Sequence, residues 1–143
     1  MTEFDIERFV EAQESEYSGY AQALQEIRSG GKYGHWIWYI FPQLRGLGHS
    51  GNAQFYGIED QQEAREYLAH PVLGVRLREI TQAALNHADD RIAIELMGSE
   101  IDALKLKSSM TLFDRVCPGD IFAEVLDAFY DGERCQWTLN MLK

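Results

Sequence analysis

Apolar residues recur at intervals of three and four along most of this chain, which is the spacing of one face of an α-helix. The clearest stripe predicts one long helix and consists of Leu73, Leu77, Ile80, Ala84 and His87. Comparable stripes, separated by glycine and proline, predict seven or eight helices, and no pair of strands is predicted beside them. The expected fold is therefore all-α, with residues 1–143 forming a single compact domain.

Turn and capping residues mark where several of these helices begin and end. Asp5 is placed to open the first helix, and Gly30-Gly31 ends the second. Asp90 is expected to cap the short helix that follows it, and Ser99 opens a helix that extends to about residue 115. Residues 36–41 stay ambiguous between a buried strand and a short buried helix, because periodicity does not separate the two in a short apolar run.

The composition argues against several classes of protein. Of the 143 residues, 45% are hydrophobic and 12% are aromatic, which is typical of a globular chain and not of a disordered one. The formal net charge of -10 argues against binding to nucleic acid or to an anionic membrane surface, since both require a basic face. No apolar run approaches the ~20 residues of a membrane span, and the N-terminal segment lacks the features of a signal peptide. We therefore expect a cytoplasmic protein.

The two cysteines, Cys117 and Cys135, show neither a CxxC spacing nor a zinc-ligand pattern. We expect them to be reduced and to behave as small apolar residues, and a disulfide between them is the alternative. No cluster of carboxylates, histidines and cysteines predicts a metal site, and no cofactor is expected.

The run HWIWYIFPQ, from His35 to Gln43, is the most distinctive segment of the sequence. It holds two of the three tryptophans, and Arg45 and a glycine-rich stretch follow it. Groups that stack, donate and accept, next to adaptable backbone, are typical of a ligand pocket. Taken singly, Trp36 and Trp38 are expected to be core residues, and His35 is expected to be a structural hydrogen-bond donor.

Three glycines in the following stretch, Gly46, Gly48 and Gly51, match the G-x-G-x-x-G pattern of dinucleotide-binding proteins. We reject this match, because the motif requires its first glycine at the end of a strand in a parallel sheet. Here Pro42–Arg45 intervene, and the rest of the chain is helical. The glycines are expected to allow tight turns, and their N–H groups, helped by Arg45, are also suited to cupping an anion.

A second candidate for chemistry is the segment over residues 102–113, within the predicted helix that Ser99 opens. It carries Ser108, Ser109 and Thr111 in four positions, with Lys107 beside them. Hydroxyl groups and a lysine on a half-buried face are suited to binding a phosphate or a sugar. The alternative is that the hydroxyls bond back to the carbonyl groups four residues earlier, at a tight helix crossing. The sequence favours neither of the two.

Four blocks of the sequence are long and unusual: DIERFVEAQ, HWIWYIFPQLRGLG, EAREYLAHPVLG and LKLKSSMTLFDRV. In these blocks and in their spacing the chain resembles the bacterial family known as domain of unknown function 1810, over nearly its whole length. The resemblance implies a compact all-α fold and assigns no catalytic residues. Members of the family sometimes carry a calpastatin-like label. Calpastatin is disordered and poor in aromatic residues, and the composition of this chain argues against that role.

The leading hypothesis is a small-ligand-binding domain for an anionic or ring-bearing compound, in its narrower form an enzyme acting on a nucleotide- or ADP-ribose-like molecule. Its predicted ligand-binding residues are His35, Trp36, Trp38, Gln43, Arg45, Lys107 and Ser108. The alternative is a non-catalytic protein-interaction module with an acidic helical surface, and a third hypothesis is a homodimer with buried tryptophans at its interface. The first two differ in whether the tryptophans line a concave pocket or an exposed patch.

Overall fold

The computed structural model describes residues 5–142, and over this range the chain forms ten helices without a sheet. The helices are α1 (Glu7–Gln13), α2 (Tyr20–Arg28), α3 (Ile37–Ile40), α4 (Gly51–Phe55), α5 (Gln61–Ala69), α6 (Leu73–Leu85), α7 (Ala93–Met97), α8 (Glu100–Val116), α9 (Ile121–Tyr130) and α10 (Gln136–Met141). The predicted all-α fold is confirmed. The prediction that the N-terminal segment is not a signal peptide concerns residues 1–4 in large part, and these lie outside the described range. No helix within it is both long and apolar enough to span a membrane.

The number of helices exceeds the seven or eight predicted, because that prediction did not include two short helices, α3 and α4. Residues 37–40 form the single turn α3, which resolves the ambiguity of the aromatic run in favour of a helix. The other is α4, which follows the glycine-rich stretch; Ser50 caps it by accepting a hydrogen bond from the Ala53 N–H at 3.1 Å. Both carry too little periodicity of their own to be recognised in a sequence, whereas the equally short α7 was predicted from the turn and capping residues around it.

Several helix boundaries follow the predicted signals, and one does not. The Asp5 side chain accepts a hydrogen bond from the Glu7 N–H at 2.9 Å, and Ser99 caps α8 as expected. The prediction that Asp90 caps α7 is wrong. That helix begins after Ile92, whose N–H donates to the Glu95 side chain at 3.1 Å.

The core is organised around α8, which packs against α3, α5, α7, α9 and α10. Its buried residues end at Phe113, whose ring centroid lies 5.5 Å from that of Tyr67 and 5.6 Å from that of Phe122. Full burial of one such aromatic side chain stabilises the fold by about 1.5–3 kcal/mol. Because α8 is held on so many sides, the side chains on its remaining face project from a rigid support.

The segment between α3 and α5 is closed at its base by two backbone hydrogen bonds of 2.8 Å. The Arg45 N–H donates to the Ile58 carbonyl, and the Ile58 N–H donates to the Gln43 carbonyl. Gly57 lies inside this closure, where an added Cβ would come within 2.6 Å of the Arg45 backbone. The loop over residues 45–57 is therefore a fixed element of the fold, and glycine is required at position 57 by close approach.

Two arginine side chains donate hydrogen bonds to backbone carbonyls of the same loop. The Arg8 guanidinium, almost fully buried, donates to the carbonyls of Phe55 at 2.6 Å and Gly57 at 2.8 Å. The Arg45 guanidinium donates to the Gly57 carbonyl at 3.0 Å. Arg8 also forms an ion pair of 3.0 Å with Glu63 on α5. These contacts tie α1, α5 and the loop into one unit.

Candidate functional site

A cleft of about 910 Å³ lies between three segments: residues 43–49, the N-terminal half of α8, and residues 133–141. Its apolar wall consists of Leu47, Ile101, Leu104, Trp137 and Met141. All but the first of these five are exposed to solvent, and Trp137 is 75% exposed. Large apolar side chains that are exposed together in a concavity are a feature of ligand and partner sites.

The polar wall of the cleft is basic, although the chain as a whole is acidic. Three cationic side chains line the cleft, Lys105, Lys107 and Arg134, against one carboxylate, that of Glu133. The formal net charge of the whole chain is -10. The side chains that line the cleft therefore include more cations than carboxylates, in contrast to the chain as a whole.

Each of these cations already has a carboxylate partner at a different distance. The Lys107 ammonium lies 3.0 Å from Glu133, and the Arg134 guanidinium lies 3.2 Å from Asp114. The Lys105 ammonium is the most weakly paired of the three, because its distance to Asp102 is 3.8 Å. Partly exposed pairs of this kind contribute roughly 0–1 kcal/mol each, so an incoming anion can displace or share the partner at low cost.

Hydroxyl groups on α8 form the junction between that helix and the start of α10. The Ser108 hydroxyl lies 3.1 Å from the Leu104 carbonyl, and the Thr111 hydroxyl donates to the Lys107 carbonyl at 2.8 Å. These are the bonds to carbonyls four residues earlier that the sequence offered as an alternative. The hydroxyls also face a neighbour, because Ser108 Oγ lies 3.3 Å from Cys135 Sγ.

Cys135 immediately precedes α10 and lines the cleft. Its own N–H donates to the Thr111 hydroxyl at 2.9 Å, which fixes the position of the residue. Burial raises the pKa of its thiol, but hydrogen bonding from Ser108 and from the first turn of α10 outweighs burial and holds the pKa below its ordinary value. Both Cys117 and Cys135 are free thiols.

Of the seven residues predicted to bind a ligand, the structure brings three together at the cleft. Gln43 lines one side, and Lys107 and Ser108 line the other. They come from segments more than sixty positions apart in the sequence, and the closed loop and α8 hold them in place. Their role in binding stays a prediction.

Of the two tryptophans in the aromatic run, Trp36 lies in the core and Trp38 is partly buried against it. Trp36 is fully buried, and its indole N–H donates to Glu26 at 2.9 Å. Trp38 is half-buried, with the Lys105 ammonium 5.0 Å from its ring centroid. Its indole N–H is buried without a hydrogen-bond partner. Neither side chain lines the cleft or forms a flat exposed patch, so the tryptophans do not separate the two leading hypotheses.

His35 and Arg45 also lie away from the cleft lining. The His35 side chain is exposed, and the residue's carbonyl accepts a hydrogen bond from the Tyr39 hydroxyl at 3.4 Å. Arg45 directs its guanidinium to the carbonyls of Gln54 and Gly57, which is a structural use of the side chain. Among residues 5–142 no group of histidines, cysteines and carboxylates is arranged to hold a metal ion.

Sequence reasoning missed the third wall of the cleft, which Arg134, Cys135 and Trp137 provide. The residues predicted to bind a ligand did not include Trp137. The usable signal was Trp137 within a polar stretch, QWTLN, because a helix with few apolar residues has a narrow buried face.

The comparisons with known proteins concern the whole fold. The family model described as "Protein of unknown function (DUF1810)" matches residues 3–142. The chain belongs to this family. Among curated proteins none matches the DUF1810 chain. The predicted family resemblance is thus confirmed over nearly the full length.

A solved structure is similar to the DUF1810 chain throughout. It is the crystal structure of the conserved hypothetical protein Rv1873 from Mycobacterium tuberculosis, which is 43% identical in sequence. The superposition has a TM-score of 0.89 and covers 99% of this chain and 98% of the other. This likeness supports the all-α architecture.

Proposed function

We propose that this DUF1810 protein binds a small compound carrying both an anionic group and a ring, such as a nucleotide- or ADP-ribose-like molecule, in the cleft between residues 43–49, α8 and α10. The observation that carries the proposal is the meeting of three cations with an exposed tryptophan in one concavity of an otherwise acidic chain. Neither feature alone would suffice, since isolated surface tryptophans and lysines are common.

The size of the cleft supports a ligand of this class. Pockets for compounds of drug or nucleotide size span about 300–1,000 Å³, and the cleft, at about 910 Å³, falls within that range. A single phosphate or carboxylate would leave most of the apolar wall in water. A compound with both a ring and a charge would cover the wall and also reach the basic side.

The side chains divide into three roles. Lys107 and Arg134 hold the anionic group by charge-assisted hydrogen bonds, and Lys105 adds to the local positive potential. Trp137 covers the ring of the ligand, because its indole is exposed at the cleft. Gln43 and Ser108 supply polar contacts between these two ends.

Isothermal titration calorimetry with three related probes tests the proposal: adenosine monophosphate, adenosine and inorganic phosphate. We expect the nucleotide to bind more tightly than either fragment. The substitution Lys107→Met should weaken the binding of the nucleotide and leave the binding of adenosine unchanged, whereas Trp137→Ala should weaken the binding of both.

Arg115→Met is the matched control, because Arg115 is exposed on the same helix and lies outside the cleft lining. It should bind like the unaltered protein. If adenosine monophosphate gave no heat above the dilution blank, or if Lys107→Met and Arg115→Met behaved alike, the proposal would be refuted.

A protein partner is the second candidate, favoured by one observation. Four of the exposed large apolar side chains surround the same cleft, namely Ile101, Leu104, Trp137 and Met141. A second copy of the chain or an apolar peptide would cover them. Size-exclusion chromatography with light scattering tests the homodimer: a dimer that Leu104→Asp dissociates and Val75→Asp preserves would support it, since Val75 is equally exposed and lies outside the cleft lining. A monomer would exclude it.

A further inference from the structure

We propose that Cys135 is a covalent modification site in the wall of the cleft, which takes up a low-molecular-weight thiol bearing a carboxylate by exchange with the corresponding disulfide. The inference rests on the proposed function, because the cations that would hold the anionic group of a ligand are the same Lys107 and Arg134. The modification would place an anionic adduct in the cleft and so compete with the ligand.

The thiol is accessible from the cleft and fixed in position. Cys135 is half-buried, it lines the cleft, and its backbone is anchored to Thr111 on α8. The Ser108 hydroxyl lies 3.3 Å from the sulfur and 3.1 Å from the Leu104 carbonyl, so its single proton can be donated to either acceptor. When the sulfur becomes a thiolate, the Ser108 proton is available to it without movement of the backbone.

A second hydroxyl group, in the helix that follows Cys135, lacks a hydrogen-bond acceptor. Thr138 is completely buried, and its hydroxyl makes no hydrogen bond within the described structure. Thr138 lies in the first turn of α10, which begins directly after Cys135, and its side chain is one of the groups that lower the pKa of the Cys135 thiol. A buried hydroxyl without a partner destabilises the fold, and a thiolate at Cys135 would supply the missing acceptor.

The charges beside the thiol select which disulfide approaches. Lys107 adjoins Ser108 in the chain and Arg134 adjoins Cys135, and both cations line the cleft. They favour a disulfide with carboxylate groups and oppose one with ammonium groups. The apolar wall accommodates the short carbon chains of such a compound.

The exchange is balanced without any further reactant. The Cys135 thiol loses its proton to solvent, and its thiolate attacks one sulfur of the disulfide RSSR. The bond from Sγ to that sulfur forms as the original S–S bond breaks, and the leaving thiolate takes up a proton to become RSH. One disulfide is consumed and one is formed: the Cys135 sulfur rises by one formal oxidation state as the leaving sulfur falls by one, so no other oxidant is needed.

Two disulfides of nearly equal size and opposite charge provide the test. Dithiodipropionate carries two carboxylates and cystamine carries two ammonium groups, and each is added to the reduced full-length protein. Intact mass and peptide mapping then give the rate of labelling at each cysteine. Cys117 is the internal reference, because it is also a half-buried free thiol and lies outside the cleft lining. Free N-acetylcysteine corrects for the intrinsic reactivity of each reagent.

We expect dithiodipropionate to label Cys135 several-fold faster than Cys117 and, after correction, several-fold faster than cystamine does. Lys107→Met should remove most of this charge preference, and Ser108→Ala should slow labelling by both reagents. Equal labelling of the two cysteines, a preference for cystamine, or a charge preference that survives in Lys107→Met and in Arg134→Met would overturn the inference.

The Cys135→Ser variant separates this inference from the proposed function. It should lose labelling in the cleft and still bind adenosine monophosphate in the calorimeter. Binding by this variant together with an unreactive Cys135 in the unaltered protein would refute the modification site alone. Absence of nucleotide binding together with rapid, charge-selective labelling would refute the nucleotide ligand and leave the modification site supported.

Discussion

The ammonium group of Lys107 lies 3.0 Å from Oε1 of Glu133, so an ion pair joins α8 to the segment that leads into α10 along one side of the cleft. The two partners differ in environment, since the Glu133 side chain is 73% exposed and that of Lys107 only 18%. The lysine is thus positioned by packing, whereas the carboxylate can move away into solvent. The Glu133 carboxylate would therefore compete only weakly for Lys107 with an anion that enters the cleft.

Removal of this competitor should strengthen anion binding. Glu133→Gln leaves the Lys107 ammonium without its carboxylate partner, and we expect the affinity for adenosine monophosphate to rise by roughly 0.5–1 kcal/mol, the size of an exposed ion pair. The gain should shrink at high salt, because solvent-exposed charges are screened. Calorimetry at two ionic strengths measures both effects. Weaker binding by Glu133→Gln would show that Lys107 does not meet the anion.

Truncation of the first and of the last tryptophan in the sequence should affect stability very differently. Trp36 is fully buried, so Trp36→Ala should lower the free energy of unfolding by about 3–5 kcal/mol. Trp137 is 75% exposed, so Trp137→Ala should change it by no more than about 0.5 kcal/mol while weakening ring-bearing ligands. Urea denaturation followed by circular dichroism compares the two. A large loss of stability in Trp137→Ala would mean that its indole packs into the fold.

Glu26 should make the stability of the protein depend on acid pH. Burial raises the pKa of its carboxyl, but hydrogen bonds from the Gly34 and Tyr33 N–H groups and from the Trp36 indole outweigh this and lower the pKa. Since the folded-state pKa lies below the ordinary 4.5, the stabilisation is complete above that value and is lost as the pH falls through the folded-state pKa.

Glu26→Gln removes this titration. Its free energy of unfolding should therefore fall less between neutral pH and about pH 3 than that of the unaltered protein. Glu16→Gln is a suitable reference, because Glu16 is exposed and precedes α2. If the free energy of unfolding fell equally with decreasing pH in the unaltered protein and in Glu26→Gln, the carboxylate would not be selectively stabilised in the folded state.

The Arg8–Glu63 pair should be essential for the loop that forms one side of the cleft. Their side chains are only 3% and 12% exposed, so Arg8→Met leaves the Glu63 carboxylate poorly compensated, at a cost of about 3–5 kcal/mol. Hydrogen exchange should rise at the amides of residues 45–57, since Arg8 holds the Phe55 and Gly57 carbonyls. Arg65→Met, on the exposed face of α5, should change neither quantity. Unchanged exchange in Arg8→Met would contradict this role.

Much of the fold was predictable from sequence because most of its helices are long enough to show a period. The stripe from Leu73 to Ala84 became α6, and Ser99 capped α8 as its pattern indicated. The sequence left α3 ambiguous between a strand and a short helix and did not predict α4, since a single turn is specified by its tertiary surroundings and not by local periodicity. The same limit applied to Asp90, which bonds to His87 and does not cap α7.

The candidate site was predictable only in part, for a physical reason. Lys107 and Ser108 carried a local signal, because hydroxyls and lysine are unusual together on a helix face. The tryptophans of the aromatic run carried an equally strong signal, yet burial at Trp36 and a covering lysine at Trp38 keep them out of the cleft lining. Cys135 and Trp137 come into the site through the packing of α10 on α8, a tertiary contact that the polar surroundings of Trp137 do not specify.

Mapping of ligand-induced chemical shift changes by NMR tests the central claim most directly, because it reports the place of binding as well as its occurrence. Adenosine monophosphate is titrated into isotope-labelled protein, with adenosine and inorganic phosphate as references. We predict the largest changes at the amides of Gln43, Ser108 and Cys135 and at the indole N–H of Trp137, with none at the smaller cavity beside Arg28 and His87. Changes centred on that second cavity, or no saturable change anywhere, would contradict a ligand site in the cleft.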